Sequence, residues 1–240
     1  REICPPQYPN EHKFLESLVT DGSQQRWPQG VPAEIKQLIE KELSLIQEMD
    51  YACYFLTVHD IVAYARSQGI LCQGRGSAAN SVVCYCLFIT EVDPSRVSVL
   101  FERFLSKERN EPPDIDVDFE HHRRDEIIQY IYKKYSKERA ALAAAVITYK
   151  KRSAIRDVGK ALNLAPDLIE SLSGSLAWWD KKEVMLDRFT ELGVDPQGPQ
   201  VQLLSELVTE ILGFPRHLTQ HVGGFVISRG PLSELCPVEN

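Results

Sequence analysis

Three aspartates at every second position form a pattern that could do chemistry: Asp114, Asp116 and Asp118 alternate with Ile115 and Val117. Side chains of a β-strand point to alternate faces, so this spacing predicts a strand with three carboxylates on one face and apolar side chains on the other. Carboxylate oxygens suit Mg²⁺, and a bound cation would relieve the repulsion between the like charges. The pattern therefore predicts a divalent-metal site, and a pair of ions there could support nucleotidyl transfer.

The three aspartates also have two alternative explanations, an acidic sheet edge and a calcium-binding loop. An exposed sheet edge can carry acidic side chains as protection against aggregation. Such protection requires neither this strict alternation nor an apolar opposite face, so the metal site is the favoured interpretation. An EF-hand loop fits poorly, because no glycine stands at its sixth position and no glutamate at its twelfth.

A glycine-rich segment, Gly74-Arg75-Gly76-Ser77, stands between a predicted strand at 70–72 and a predicted apolar helix at 78–88. Glycines let a backbone approach a ligand closely, and a helix N-terminus attracts phosphate. Arg75 could add a charge-assisted contact, and Ser77 could bind phosphate or cap the helix. The segment also fits the looser G-x-G-x-x-A pattern of dinucleotide-binding proteins, or a simple tight turn. The carboxylate strand downstream favours a triphosphate cradle.

The overall composition is that of a globular protein: 240 residues, 43% hydrophobic and 25% charged, with a net charge of −7. No apolar run approaches the roughly 20 residues of a membrane helix, and six cysteines without paired metal spacing predict buried, reduced thiols. Within this acidic chain, residues 133–160 carry nine basic and two acidic side chains. That segment is either a surface for nucleic-acid phosphates or a solvated helix face. Its candidate DNA-binding residues are Lys150, Lys151, Arg152 and Arg156.

Hydrophobic periodicity predicts an α/β fold with a helical insertion. The first 32 residues show no sustained period and are predicted to be a linker or a docked extension, with regular structure beginning at Pro32. The further predicted elements are helices at 57–67 and 123–135, strands at 114–119, 144–149 and 223–228, and a helical block at 153–212.

Five segments, taken together and in this order, resemble the C-family bacterial DNA polymerases. The resemblance implies a palm like that of polymerase-β nucleotidyltransferases with an inserted helical thumb. It would divide the chain into a first palm part at 33–146, a thumb at 147–214 and a return to the palm at 215–240. The segments are GRGSAANS (74–81), LFERFL (100–105), PDIDVDF (113–119), AIRDVGK (154–160) and HVGGFVI (221–227).

The resemblance implies roles for individual residues. Asp114 and Asp116 match the first two catalytic, metal-binding aspartates, which would hold two Mg²⁺ ions in a complete active site, and Asp118 would be their neighbour. A third catalytic aspartate, expected on a later strand, has no good match, and Glu234 and Glu239 are poor substitutes. Matches to the nucleotide-binding residues are Arg75, Gly76, Ser77 and Arg103, and near-site matches are His221, Gly223 and Gly224.

The residues between these motifs, including Trp178-Trp179, are more similar to those of the error-prone, damage-tolerant polymerases than to those of the replicative alpha subunit. The implied partners are primer-template DNA and deoxynucleoside triphosphates in the bacterial cytoplasm, with no membrane and with accessory partners bound through regions outside this chain. The chain would then be a palm and thumb piece with feeble activity alone. An alternative within the family is a fragment of the replicative alpha subunit, and alternatives from other classes are an NAD(P)-binding oxidoreductase and a non-catalytic DNA-binding module. His221 could equally be a buried histidine at the start of a strand.

Overall fold

The computed structural model describes residues 3–94, 96, 114–175 and 189–239. The chain forms two compact units, Arg1–Glu138 and Arg139–Asn240. The predicted boundary between a palm and a thumb at 146/147 falls inside a strand of the second unit.

Three helices build most of the first unit: α1 (Glu11–Arg26), α2 (Ala33–Glu48) and α3 (Ala52–Ser67). The side chain of Asn10 caps α1 by accepting a hydrogen bond from the amide of Lys13 at 2.9 Å. Helix α2 begins directly after Pro32, as predicted. The three helices enclose one apolar core, whose fully buried members include Leu15, Val19, Ile46, Phe55 and Leu56.

Helix α1 corrects the prediction that regular structure begins at Pro32. Its buried face carries His12, Gly22 and Ser23 besides Leu15 and Val19. These positions have helical spacing, but only two of the five buried residues are large and apolar, so hydrophobic periodicity does not reveal the helix. A side chain at position 22 would overlap a backbone carbonyl of a neighbouring helix, which explains the small residue. The predicted docked extension is therefore largely a helix of the core.

The glycine-rich segment leads through β1 (Cys72–Arg75) and a 3₁₀ turn (Gly76–Asn80) into the short helix α4 (Val82–Cys86). This arrangement corrects the predicted helix at 78–88, and β1 begins two residues later than predicted. Helix α4 is short because Ser81 caps its start, and the backbone of Phe88 has φ +59°, which no α-helix continues through.

Strand β1 pairs antiparallel with β2 (Asp116–Phe119), and a 3₁₀ turn (His121–Arg123) then leads into α5 (Arg124–Tyr135). Helix α5 packs on α3, where Asp60 accepts hydrogen bonds from the hydroxyl of Tyr130 and from the ammonium group of Lys134. This contact joins the end of the first unit to its helical core.

The second unit contains a ribbon of two antiparallel strands, β3 (Ala140–Thr148) and β4 (Pro215–Ile227). Helices α6 (Lys151–Ala161), α7 (Pro166–Ser175) and α8 (Pro199–Ile211) enclose a separate core. Its fully buried side chains are Ala154, Ile155, Leu172, Phe189 and Leu204.

The described residues thus combine helices with small antiparallel sheets, which confirms the α/β class at that level. No helix in the described ranges is both long and apolar enough to cross a membrane. The prediction of buried cysteines is only partly correct, since Cys84 and Cys86 are buried whereas Cys53 and Cys236 are exposed.

Candidate active site

The ladder between β1 and β2 brings the glycine-rich segment and the carboxylate strand together. Arg75 lies opposite Asp116, and Gly74 lies opposite Val117. Gly76 follows immediately with φ +60°, and a Cβ atom at this glycine would lie 3.4 Å from Oδ2 of Asp116. A conformation with positive φ favours glycine, and the missing side chain leaves space beside the carboxylate. Two segments about 40 residues apart therefore form one surface of the first unit.

The aspartates show the alternation that the sequence predicts. Asp114, Asp116 and Asp118 are exposed, whereas Ile115 and Val117 are half-buried and pack against the core. Asp114 lies two residues before the first residue of β2, so only the other two aspartates belong to the hydrogen-bonded strand. The arrangement presents carboxylate oxygens to solvent and anchors them through the apolar face of the same strand.

Arg75 forms an ion pair with Asp118, with Nε 2.6 Å from Oδ2. The two side chains are 66% and 58% exposed, and exposed pairs of this kind contribute only about 0.2–1 kcal/mol. An anion with more charge than one carboxylate could therefore compete for the guanidinium group at small cost. Asp118 lies opposite Gln73 in the ladder, so this ion pair directs the Arg75 side chain toward the start of β1.

A carboxylate from α2 occupies the N-terminus of α4. Glu42 is 1% exposed and accepts hydrogen bonds from the hydroxyl of Ser81 at 2.8 Å and from the amides of Val82 and Val83 at 3.0 Å each. The amides at the start of α4 thus already have an acceptor, and phosphate binding by the segment at Gly76 and Ser77 stays a prediction. The predicted cap, Ser77, is replaced by Ser81, which accepts from the amide of Cys84.

Sequence reasoning missed Glu42, although a signal exists. Ile35, Ile39, Glu42 and Ile46 follow one another at helical spacing, so a glutamate stands on the apolar face of α2. Burial raises the pKa of Glu42 to about 7, while the hydrogen bonds from Val83, Val82 and Ser81 act in the opposite direction.

Tyr54 on α3 is a second residue that sequence reasoning missed. Its hydroxyl accepts a hydrogen bond from the amide of Ile115, with a distance of 3.4 Å between nitrogen and oxygen. Burial raises the pKa of Tyr54, and the charges of Asp114 and Asp116 add to this effect. Tyr54 therefore contacts the backbone between the two aspartates and lies within electrostatic reach of both carboxylates.

The donor set of this surface fits Mg²⁺ in part. Asp114 and Asp116 offer exposed hard oxygen donors, and Mg²⁺ is often held by one or two carboxylates with water and substrate phosphates completing its shell. Among the residues that the structure describes, no three acidic, histidine or cysteine side chains converge on one metal position. Most of the coordination shell would therefore have to come from substrate and water.

The remaining candidates belong to the second unit. Lys150, Arg152 and Arg156 are exposed at the start of α6, and Lys151 is half-buried. The amide of Lys150 donates to the hydroxyl of Ser153 at 2.9 Å, which fixes this end of the helix.

His221 is exposed and lies within β4, so the alternative of a buried histidine at a strand start is wrong. Its Nδ1 accepts hydrogen bonds from the amides of Gly223 and Gly224, at 3.2 and 2.6 Å. The ladder with β3 shifts register here, so His221–Gly224 forms a bulge in the strand. The glycines allow this bend. The predicted nucleotide-binding Arg103 and the pair Trp178-Trp179 lie outside the described residues.

Comparison with known proteins gives a consistent result. A family model described as "Bacterial DNA polymerase III alpha NTPase domain" matches residues 13–240. A protein of Dechloromonas aromatica (strain RCB), named error-prone DNA polymerase, is 63% identical over 227 residues, which cover 95% of this chain and 22% of that protein. Proteins of the same name from Teredinibacter turnerae and Vibrio parahaemolyticus are 63% and 59% identical over 94% and 100% of this chain.

This chain therefore spans only about a fifth of the length of these relatives. The resemblance to C-family polymerases, and to their error-prone members in particular, is confirmed. The chain belongs to the family of bacterial DNA polymerase III alpha NTPase domains.

Proposed function

We propose that this chain provides the nucleotidyl-transfer centre of a DNA-directed DNA polymerase, which in the full-length protein performs error-prone synthesis across damaged template. The observation that carries the proposal is the pairing of Arg75 with Asp116 in the ladder, beside the turn at Gly76. Family membership and the printed name of the relatives support it. A polymerase of this kind acts on primer-template DNA and deoxynucleoside triphosphates in the bacterial cytoplasm.

In this proposal Asp114 and Asp116 are the catalytic carboxylates that hold Mg²⁺, two ions in the complete centre. The bound metal would polarise the reacting phosphate and neutralise the charge that develops during transfer. Arg75 exchanges its partner Asp118 for the triphosphate, and the glycine turn with Ser77 lies along it. These residues contribute by positioning and by charge stabilisation, since phosphoryl transfer leaves little covalent work to the protein.

The proposed domain division follows the family resemblance. Residues 33–146 and 215–240 would form a polymerase-β-like palm, with 147–214 as the inserted thumb and Arg103 as a further nucleotide contact. His221, Gly223 and Gly224 would lie near the site. Lys150, Lys151, Arg152 and Arg156 would bind the phosphates of duplex DNA.

An NAD(P)-binding function is disfavoured by the topology around the glycines. The dinucleotide fingerprint requires a βαβ unit with parallel strands, whereas β1 pairs antiparallel with β2. Helix α4 is also only five residues long, and its first amides bind Glu42. The glycines therefore belong to an antiparallel strand and a 3₁₀ turn, and not to the βαβ unit of a dinucleotide-binding protein.

The test is primer extension by the full-length protein with Asp114→Asn and Asp116→Asn. We expect each variant to lose at least about 100-fold in nucleotide incorporation, because losing metal stabilisation costs several kcal/mol and each 1.36 kcal/mol is tenfold. Asp125→Asn, an exposed aspartate on α5, is the matched control and should retain activity. Unimpaired incorporation by both site variants would overturn the proposal.

A further inference from the structure

The buried carboxylate of Glu42 needs an explanation beyond stability. Its neighbours on the inner face of α2, Ile35 and Ile46, are apolar, and an apolar residue at position 42 would suit the same core. Removing an ionisable carboxyl group from water is unfavourable unless its partners compensate for the missing hydration. Among the described residues, the hydrogen-bond donors to Glu42 lie in one short segment, Ser81–Val83, which follows directly after the glycine turn.

The glycine turn is fixed separately at its two ends. At the first end, β1 pairs with β2, and the amide of Gly74 donates to the carbonyl of Ile89 at 2.7 Å. At the second end, Glu42 holds Ser81, whose hydroxyl also accepts from the amide of Cys84 at 3.0 Å. The 3₁₀ turn Gly76–Asn80 lies between these two attachments.

We propose that Glu42 is a positioning residue for nucleotide binding: it fixes the second end of the turn and thereby sets where Ser77 and the backbone after Arg75 meet the triphosphate. The inference rests on the proposed function, because it assumes that this turn binds a nucleotide. Glu42 itself is buried and touches the turn's continuation, so it acts through Ser81–Val83 and not through substrate contact.

The aspartates are held by other contacts. Asp116 belongs to the ladder with β1, and the backbone after Asp114 contacts Tyr54 on α3. Removal of the hydrogen bonds to Glu42 should therefore loosen the nucleotide-binding turn and leave the carboxylate strand in place. The expected signature is a higher KM for the nucleotide with kcat and primer-template affinity unchanged.

The experiment uses the full-length protein with Glu42→Gln and Glu42→Leu. Glutamine retains one acceptor oxygen but turns an amide group toward at least one of the donors, and leucine removes both acceptors. We expect the glutamine variant to raise KM for deoxynucleoside triphosphate by about 10-fold, which corresponds to about 1.4 kcal/mol, and leucine to raise it further. Glu40→Gln, an exposed glutamate on the same helix, should leave KM unchanged.

Amide hydrogen exchange on the nucleotide-free variants provides a second readout. Peptides covering 76–83 should exchange faster in Glu42→Gln than in wild type, while those covering β2 should not. Unchanged KM and unchanged exchange at 76–83 would overturn the inference, as would an equal loss of kcat, DNA affinity and melting temperature. If wild type itself incorporates no nucleotide, the proposed function fails, and exchange at 76–83 still decides whether Glu42 fixes the turn.

Discussion

Burial of the Glu42 carboxyl group disfavours its charged form, and this predicts that the stability of the fold depends on pH. Burial raises the pKa of Glu42 from 4.5 to about 7 in the folded protein. A group whose pKa is higher in the folded state stabilises the protein fully below its unfolded value and loses that contribution as the pH rises through the folded value. With these two values the free energy of unfolding should fall by about 3 kcal/mol between pH 4.5 and 7. Glutamine at position 42 cannot ionise and should remove this loss.

The measurement compares melting temperatures of wild type and Glu42→Gln at matched pH. Relative to wild type, the variant should be least stable near about pH 5 and should gain stability by about pH 8. The control for the substitution chemistry is Glu40→Gln, an exposed glutamate on the same helix. A constant difference between Glu42→Gln and wild type at every pH would mean that the folded and unfolded pKa values of Glu42 are alike.

The sequence could predict that Asp114, Asp116 and Asp118 share one face of a strand, because side chains two residues apart on a strand point the same way. Glu42 and Tyr54 have no such local pattern. Each gains its role from a partner 39 or 61 residues away in the sequence, Ser81 in one case and Ile115 in the other. A glutamate on an apolar helix face signals an unusual environment, but only the fold identifies its partner.

At the scale of elements, the close crossing of β1 and the segment after α4 depends on Gly74. A Cβ atom there would lie 2.6 Å from the carbonyl oxygen of Ile89, and neither backbone can yield without moving the strand. We expect Gly74→Ala to destabilise the protein by about 1–3 kcal/mol, the usual range for overpacking, and to weaken nucleotide binding. Thermal unfolding and nucleotide titration would measure these two effects.

Gly174 provides the matched control for that substitution. It lies in α7, and a Cβ atom there would meet no heavy atom of the described residues within 4 Å. Alanine at this position should be neutral or slightly stabilising, since glycine is a poor residue within a helix. Equal stability of Gly74→Ala and Gly174→Ala would show that β1 can shift away from Ile89 at no cost in stability.

The sequence predicts a helix or strand well where the buried residues are apolar and recur at the period of that element. Helix α5 and strand β2 meet that condition and lie within two residues of their predicted bounds, and α2 begins directly after Pro32 as predicted. In α1, by contrast, His12, Gly22 and Ser23 occupy buried positions because the helix packs closely against its neighbours. Around α4 the apolar run 82–89 continues past the point where the backbone turns at Phe88, so composition alone overestimates the helix.

At the scale of the whole molecule, a negative net charge coexists with a basic surface. The chain carries −7 overall, yet Arg152, Arg156 and Lys160 are exposed at every fourth position of α6. Residues four apart share one helix face, and the buried residues Ala154, Ile155 and Val158 face the core of the second unit. The helix thus has an apolar inner side and a cationic outer side. The sequence identifies the basic segment but does not predict which residues face the core and which face solvent.

The basic residues at the start of α6 predict the salt dependence of DNA binding. Replacing Lys150, Lys151 and Arg152 with alanine in the full-length protein should weaken duplex binding and reduce the slope of log affinity against log salt by about 0.9 for each phosphate that is no longer neutralised. Sequence preference should not change, because phosphate contacts carry no base information. The control Lys13→Ala/Lys36→Ala/Lys41→Ala removes the same charge from exposed positions of the first unit and should keep the wild-type slope. If the two triple variants behave alike, net charge and not the start of α6 determines DNA affinity.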